Sequence, residues 1–378
     1  MHPGKANNLR SKILELLDYI HIEESRTITF SNPINSFEKL EKELIKKSDV
    51  FDIFTTALAY IDAIYYYCNH ISPDINKDLS LISKEEKQKI VDFTLSYLTT
   101  IPFNYKSTIE LASISLPEHV QEESKISIKK RKYFGSDATS IEIKCSGYYT
   151  QQNSESFIKE PLKALNCLLY FMLVTKIIKH TPQSLISAGL GGNTIQNYTS
   201  INVFIRPESF EKTVHSQHLP LHISKFLSEL KMTDNYDQNS KTGRAEIAME
   251  SALGLINAKT EGAEYIRSAI DWYMNSLYTT DSTMSFIQTC MGLEALLGEK
   301  ENGAGGLTRT LADRCAYLIG NGHEERVIIK ENIEDIYKLR SNIVHGVTNT
   351  IRNSEKRYTA LATVYLNKAI SSECRFVK

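Results

Sequence analysis

Asn332-Ile333-Glu334-Asp335-Ile336-Tyr337-Lys338-Leu339-Arg340-Ser341-Asn342-Ile343-Val344-His345-Gly346 is the stretch on which the reading of this chain turns. Ile336, Leu339, Ile343 and Val347 recur at helical spacing with Val344 beside them, which predicts a helix with one apolar face. Arg340 and His345 flank that face. Gly346 reaches the left-handed cap without steric cost, so the helix is expected to stop there. A guanidinium and an imidazole then share one last turn. Basic residues favour such turns because they offset the negative end of the helix dipole. The same pair also suits phosphate chemistry, since arginine forks onto phosphate oxygens and histidine exchanges protons near neutral pH.

Outward from this stretch, the last third reads as helix after helix. The apolar spacing predicts helices over 244–258, about 261–278, 282–298 with Asp281 as cap, 307–319, 324–345 and 354–374. Gly303 to Gly306 and Gly320-Asn321-Gly322 read as breaks between them. Short connections between long amphipathic helices favour an antiparallel bundle. The polar stretch 234–243 reads as a linker. It divides the chain into residues 1–240 and 241–378.

The region 1–240 is mostly helical, with a small strand-containing part at about 101–206. A helix is expected over 9–22, with Ile13, Leu16, Leu17 and Ile20 on one face. Ser36 can cap a second helix, with Lys39 where a capping box wants Glu or Gln. Residues 49–69 are apolar almost all round, as in a buried helix. Ser83 opens another, running to Tyr97, with Glu85 and Glu86 in its first turn. Ile126-Ser127-Ile128 and Ser140-Ile141-Glu142-Ile143-Lys144-Cys145 alternate as strands do. Between them, Lys129-Lys130-Arg131-Lys132-Tyr133-Phe134 reads as a solvated loop or a protected edge strand in preference to an RNA-contacting hairpin. Residues 161–180 form a buried helix and 200–206 a strand. Gly189-Leu190-Gly191-Gly192-Asn193 lacks the lysine of a phosphate-binding loop and reads as a turn. The overall class is mainly α, with a few strands making it α+β.

Lys and Arg number 44 against 45 Asp and Glu, a formal net charge of −1, so no global field draws the chain to nucleic acid. Any RNA site must be a local patch. Cys68, Cys145, Cys167, Cys290, Cys315 and Cys374 show no paired spacing, which excludes zinc ribbons and thioredoxin chemistry and suits a reducing cytosol. No apolar core follows Lys5 and Arg10, and the run from Cys167 to Val174 is too short to span a bilayer. A cytoplasmic protein without membrane contact is expected. His215, His218 and His222 have superficial metal-ligand spacing, but Pro220 interrupts them and no carboxylate pattern accompanies them, so no metal is assigned.

Three blocks, Phe286 to Gly298, Leu311 to Ile319 and Ile336 to Gly346, in this order and spacing resemble the Apea-like branch of the HEPN superfamily. The likeness covers roughly the last third of the chain. It implies a dimerising helical bundle with metal-independent endoribonuclease activity and no cofactor. It also implies a toxin of phage defence or abortive infection, cutting single-stranded or loop RNA such as tRNA anticodon loops. Carried over by position, Arg340 and His345 are the catalytic pair, with Ser341 and Asn342 in the polar positions after the arginine. An antitoxin or a phage-derived trigger is a further expected partner. Some antitoxin-paired members carry a tyrosine two residues after the histidine, where this chain has Val347.

RNA supplies its own nucleophile, the 2′-hydroxyl, so a base, an acid and a phosphorane-stabilising cation suffice. One His345 cannot stand on both sides of an in-line attack, so two copies about a two-fold axis are expected to share the work. Glu294 lies on a face with Ile287, Cys290 and Leu297 and needs a partner, either Arg314 or Arg340. Arg309 and Lys338 are further RNA-contact candidates, with Arg314 as an alternative liner of the RNA path. The competing expectation is a non-catalytic HEPN module that binds RNA, a nucleotide or a protein partner.

Overall fold

The structure, a computed structural model, describes residues 3–23, 28–30, 59–100, 103–133, 136–147, 156–182, 201–207, 215–233, 238–298 and 306–376. They form a mainly helical chain with a small sheet. Two compact units emerge: Met1–Lys106 with Lys144–Glu160 and Ile205–His215, and Ser107–Ile143 with Pro161–Phe204 and Ser216–Lys378.

In the first unit, helix α1 (Pro3–Leu17) is followed by the short antiparallel pair β1 (Ile20–Ile22) and β2 (Ile28–Phe30). Helix α2 (Ala59–Tyr66) runs on into a π turn over Tyr67–Ile71, and α3 spans Lys84–Thr99. Ile13, Leu16 and Leu17 of α1, Ile64 of α2 and Ile90 and Val91 of α3 share one buried cluster. The apolar face expected at 9–22 is therefore buried as read, although its last residues, from Ile20, leave the helix and form β1. At the start of α3 the Ser83 hydroxyl accepts from the Glu86 amide (3.2 Å), and the Glu86 carboxylate accepts from the Ser83 amide (2.9 Å). This reciprocal cap explains the sharp helix start. The expected helix at Ser36 and most of its successor's first half, up to residue 58, lie outside the described residues.

The strands of the larger sheet are β3 (Phe103–Leu111), β4 (Ile126–Tyr133), β5 (Ser136–Gly147), β7 (Asn202–Pro207) and β8 (His215–His218), ordered β4-β5-β3-β7-β8. Helix α4 (Ser156–Val174) and strand β6 (Ile178–His180) lie between β5 and β7 in sequence. Residues of this sheet belong mostly to the second unit. β4 and β5 pair antiparallel, with Ile126 opposite Ile143 and Ile128 opposite Ile141, and all four isoleucines are buried. The basic run continues β4 and is not a loop. Lys130, Arg131 and Lys132 are exposed on this edge strand, while Lys129 pairs with Glu142 at 2.7 Å. Outside it, His119 exchanges two backbone hydrogen bonds with Ile128, and Glu118 accepts from the Lys130 amide at 3.0 Å. Charge and a covering loop thus protect the edge. Phe134 and the turn at 189–193 lie outside the described residues.

α4 buries Leu165, Leu168, Leu169, Tyr170 and Met172, as its sequence demands. It stops at Val174, short of the expected His180, because the chain turns left-handed at Lys176 (φ +59°) and enters β6. Helix α5 (Leu221–Ser228) leads into β9 (Leu230–Met232), which pairs antiparallel with β6. Strands thus extend beyond the 101–206 window at both ends.

Six longer helices complete the unit: α6 (Gln238–Asn257), α7 (Glu261–Tyr278), α8 (Ser282–Leu297), α9 (Gly306–Ile319), α10 (His323–Val344) and α11 (Lys356–Glu373). α6 begins at Gln238, so the second half of the polar stretch read as a linker is helical. The cap expected at Asp281 is present, accepting from the Met284 amide (2.7 Å), and Thr260, not read as a cap, accepts from the Ala263 amide (3.2 Å). A Cβ on Gly292 would come within 2.7 Å of a Leu366 methyl and 3.4 Å of the Ala269 carbonyl oxygen. Glycine here lets α8 press against both α7 and α11. The Tyr278 hydroxyl donates to Asn166 (2.5 Å), whose amide donates to Asp271 (3.0 Å), tying α4 to α7 through polar atoms. No helix among the described residues is long and apolar enough to cross a membrane.

Candidate active site

The site is built on α10, whose inner face buries Ile329, Ile333, Ile336, Tyr337 and Leu339. Tyr337 fixes the helix against α8 by donating its hydroxyl to the Cys290 carbonyl at 3.2 Å. Burial pushes that hydroxyl well above its ordinary range, so it stays a neutral donor. Sequence reading passed over Tyr337. The available signal was its place on the apolar face, where a buried phenol needs a hydrogen-bond acceptor.

One turn on, Arg340 meets Glu294 of α8. Its Nη2 lies 3.2 Å from Oε1 and donates to Oε2 at 3.4 Å, with both side chains about a quarter exposed, 27% and 23%. Burial raises the Glu294 pKa, and the guanidinium opposes the shift. Of the two expected partners, Arg340 takes the carboxylate. Arg314 instead donates to the Leu297 carbonyl at 3.0 Å, at the end of α8. The Glu294–Arg340 pair is incompletely satisfied: Glu294 Oε1 and Arg340 Nε are buried without a hydrogen-bond partner among the described residues. Arg340 Nε is therefore closed to an incoming anion, and only the exposed quarter of the side chain is open to one.

His345 caps the helix, and its side chain is exposed. Gly346 stands at φ +73°. The Gly346 amide donates to the Ile343 carbonyl (3.1 Å) and the Val347 amide to the Asn342 carbonyl (2.8 Å), the paired closure of a Schellman turn. The imidazole is thus carried on a backbone fixed by its neighbours' hydrogen bonds. The apolar face behaves differently from the expectation. Ile336 and Leu339 are buried, Ile343 is half-buried, and Val344 and Val347 stand 51% and 75% exposed. The stripe leaves the core in its last turn because the chain ends its helix there.

Ser341 and Asn342 are half-buried and serve the cap through their carbonyls, while Lys338 is exposed on α10 and Arg309 on the first turns of α9. The structure brings Arg340 and Glu294 together and leaves His345, Lys338 and Arg309 at the surface. His215 and His218 lie on β8, with His222 beyond Pro220 on α5. Among the described residues no group of three or more His, Cys, Asp or Glu gathers to hold a metal ion. Compared with family models, curated proteins and solved structures, the chain gives no match.

Proposed function

We propose that the chain is a metal-independent endoribonuclease of the HEPN type, with residues 241–378 as an antiparallel helical bundle, acting on single-stranded or loop RNA. The observation that carries this reading is the exposed His345 on a hydrogen-bonded helix cap, one turn beyond an arginine that a carboxylate orients and that is about a quarter exposed. His345 takes the proton of the 2′-hydroxyl, which attacks phosphorus. Arg340 stabilises the charge on the phosphorane oxygens. The 5′-oxygen leaves with a proton from the counterpart histidine of a second copy. The products are a 2′,3′-cyclic phosphate and a 5′-hydroxyl. The exposed Val344 and Val347 beside His345 support a self-complementary contact there. Ser341, Asn342 and Glu294 support the pair, and Arg309 and Lys338 contact the RNA. Arg314 acts at one remove, by holding the end of α8. A cytoplasmic toxin of phage defence, checked by an antitoxin or released by a phage-derived trigger, is the setting this chemistry fits.

The test is cleavage of total RNA in excess chelator. Wild type cuts and His345→Ala loses roughly 10²- to 10⁴-fold, the range of a lost general base. Chelator-sensitive cutting that survives the substitution ends the proposal. A second reading, a non-catalytic HEPN module binding RNA, a nucleotide or a protein, is favoured by the Glu294–Arg340 pair itself, because an ion pair between two helices also serves packing. Growth arrest on expression, relieved by Arg340→Ala, decides against it.

A further inference from the structure

We infer that a second, separate groove, at the C-terminal ends of α4, α9 and α11, holds the phosphate backbone of a single-stranded RNA. The choice of RNA as the polyanion rests on the ribonuclease reading above. The groove has a volume of about 580 Å³ and is lined by Lys176, Lys368 and Arg375, with Asn321, Ser371 and Ser372 adding amides and hydroxyls. No carboxylate lines it, and no ion pair engages any of the three cations among the described residues. Glu373 shares the last turn of α11 but stays out of the lining. The cations come from positions almost 200 residues apart in sequence, so the fold gathers them.

Cations at helix ends are ordinary, because they offset the dipole. Lys176 exceeds that explanation. α4 closes with the same pair of hydrogen bonds as α10: the Lys176 amide donates to the Leu173 carbonyl (3.1 Å) and the Ile177 amide to the Met172 carbonyl (3.0 Å). The left-handed position that Gly346 fills in α10 is filled here by a lysine, at φ +59°. Glycine would sit there without strain. The end of α4 already has a cation, since Arg244 donates to the Thr175 carbonyl at 3.0 Å. A strained lysine beside a capped helix end marks a position where the side chain itself is used. The groove carries no aromatic ring to stack a base, so it reads backbone charge and not sequence. Asn321 precedes α10 and His345 ends it, so groove and catalytic pair are separated by a 22-residue helix, about 33 Å of axial rise. Only an RNA long enough to reach both feels the groove.

The test uses the full chain carrying His345→Ala, so that the probe survives, and a fluorescein-labelled 20-nucleotide oligouridylate, with anisotropy read across a salt series. Replacing Lys176→Gly, Lys368→Gln and Arg375→Gln together is expected to lower the slope of log affinity against log salt by about 2, at roughly 0.7 per phosphate contact. Lys176→Gly alone is expected to lower it by about 0.7 with a Tm no lower than the parent, so weaker binding cannot be put down to misfolding. Unchanged affinity and slope in a triple variant that melts like the parent overturn the proposal. Binding to vesicles of anionic lipid without binding to the oligonucleotide also overturns it, in favour of a membrane headgroup. With His345 restored, a dinucleotide substrate should be cut equally by wild type and triple variant. Should no RNA be cut while the slope still falls, the groove stands and the nuclease reading fails.

Discussion

Helices α10 and α4 end in the same turn, with the same two backbone hydrogen bonds, but one places Gly346 at the left-handed position and the other Lys176. At the end of α10 the backbone is relaxed and the side chain on display is the neighbour, His345. At the end of α4 the backbone is strained and the side chain on display is the strained residue itself. A relaxed cap fixes a functional group precise in position at no conformational cost. A lysine in that position costs about 1–2 kcal/mol that glycine would not. The lesson is that the same local geometry displays different positions according to its occupant: the neighbour where glycine fills the left-handed site, and the left-handed residue itself where lysine does.

The largest way to break this comparison is to remove chemistry from the α10 end. Arg340→Ala should lower RNA cleavage by roughly 10²- to 10³-fold, the scale for losing one transition-state donor, as measured by initial rates on a loop substrate. Glu294→Gln, which only loosens the arginine, should cost much less. Next comes the relaxed cap: Gly346→Lys puts a side chain into a left-handed turn and should destabilise by about 1–2 kcal/mol in urea unfolding. The reverse change, Lys176→Gly, should stabilise by about 1 kcal/mol in the same assay. Equal effects of the same sign at both positions would dissolve the contrast.

The smallest effect is a pH dependence. Burial raises the folded pKa of Glu294 above its ordinary 4.5, so between those values the folded chain binds more protons than the unfolded one. The resulting stability is present below 4.5 and lost as pH rises through the raised value. Glu294→Gln should flatten that part of the stability profile, modestly because the group is partly exposed. The carboxylate that orients Arg340 exists only above the raised value, so the acid limb of wild-type cleavage should lie above pH 4.5.

Much of the helical region was legible because helix ends carry local chemistry. Asp281, Ser83 and Gly346 act where their residue types predict, since a cap is satisfied within four residues of chain. The apolar face of α10 was legible only in part. Periodicity marks Ile343, Val344 and Val347 as alike, but whether a neighbour lies over them depends on other helices, and here the last turn runs out into solvent. The choice between Arg314 and Arg340 as the partner of Glu294 was open for the same reason. Both are the right charge, and only packing puts one beside the carboxylate and the other over a helix end. The basic run of β4 was legible only as one of two alternatives, a solvated loop or a protected edge strand, because its charge is local but its pairing with β5 and His119 is not.

By itself the sequence determined the helix ends that carry a local cap, as at Ser83, Asp281 and Gly346, which residues are apolar on one face, and that an arginine and a histidine share one helix end, since these depend on neighbours a few residues away. The tertiary structure alone decided that Glu294 holds Arg340, that His345 is left open to solvent, and that Lys176, Lys368 and Arg375 face one groove. Contacts between residues far apart in the chain follow from how helices pack, and no local pattern encodes them.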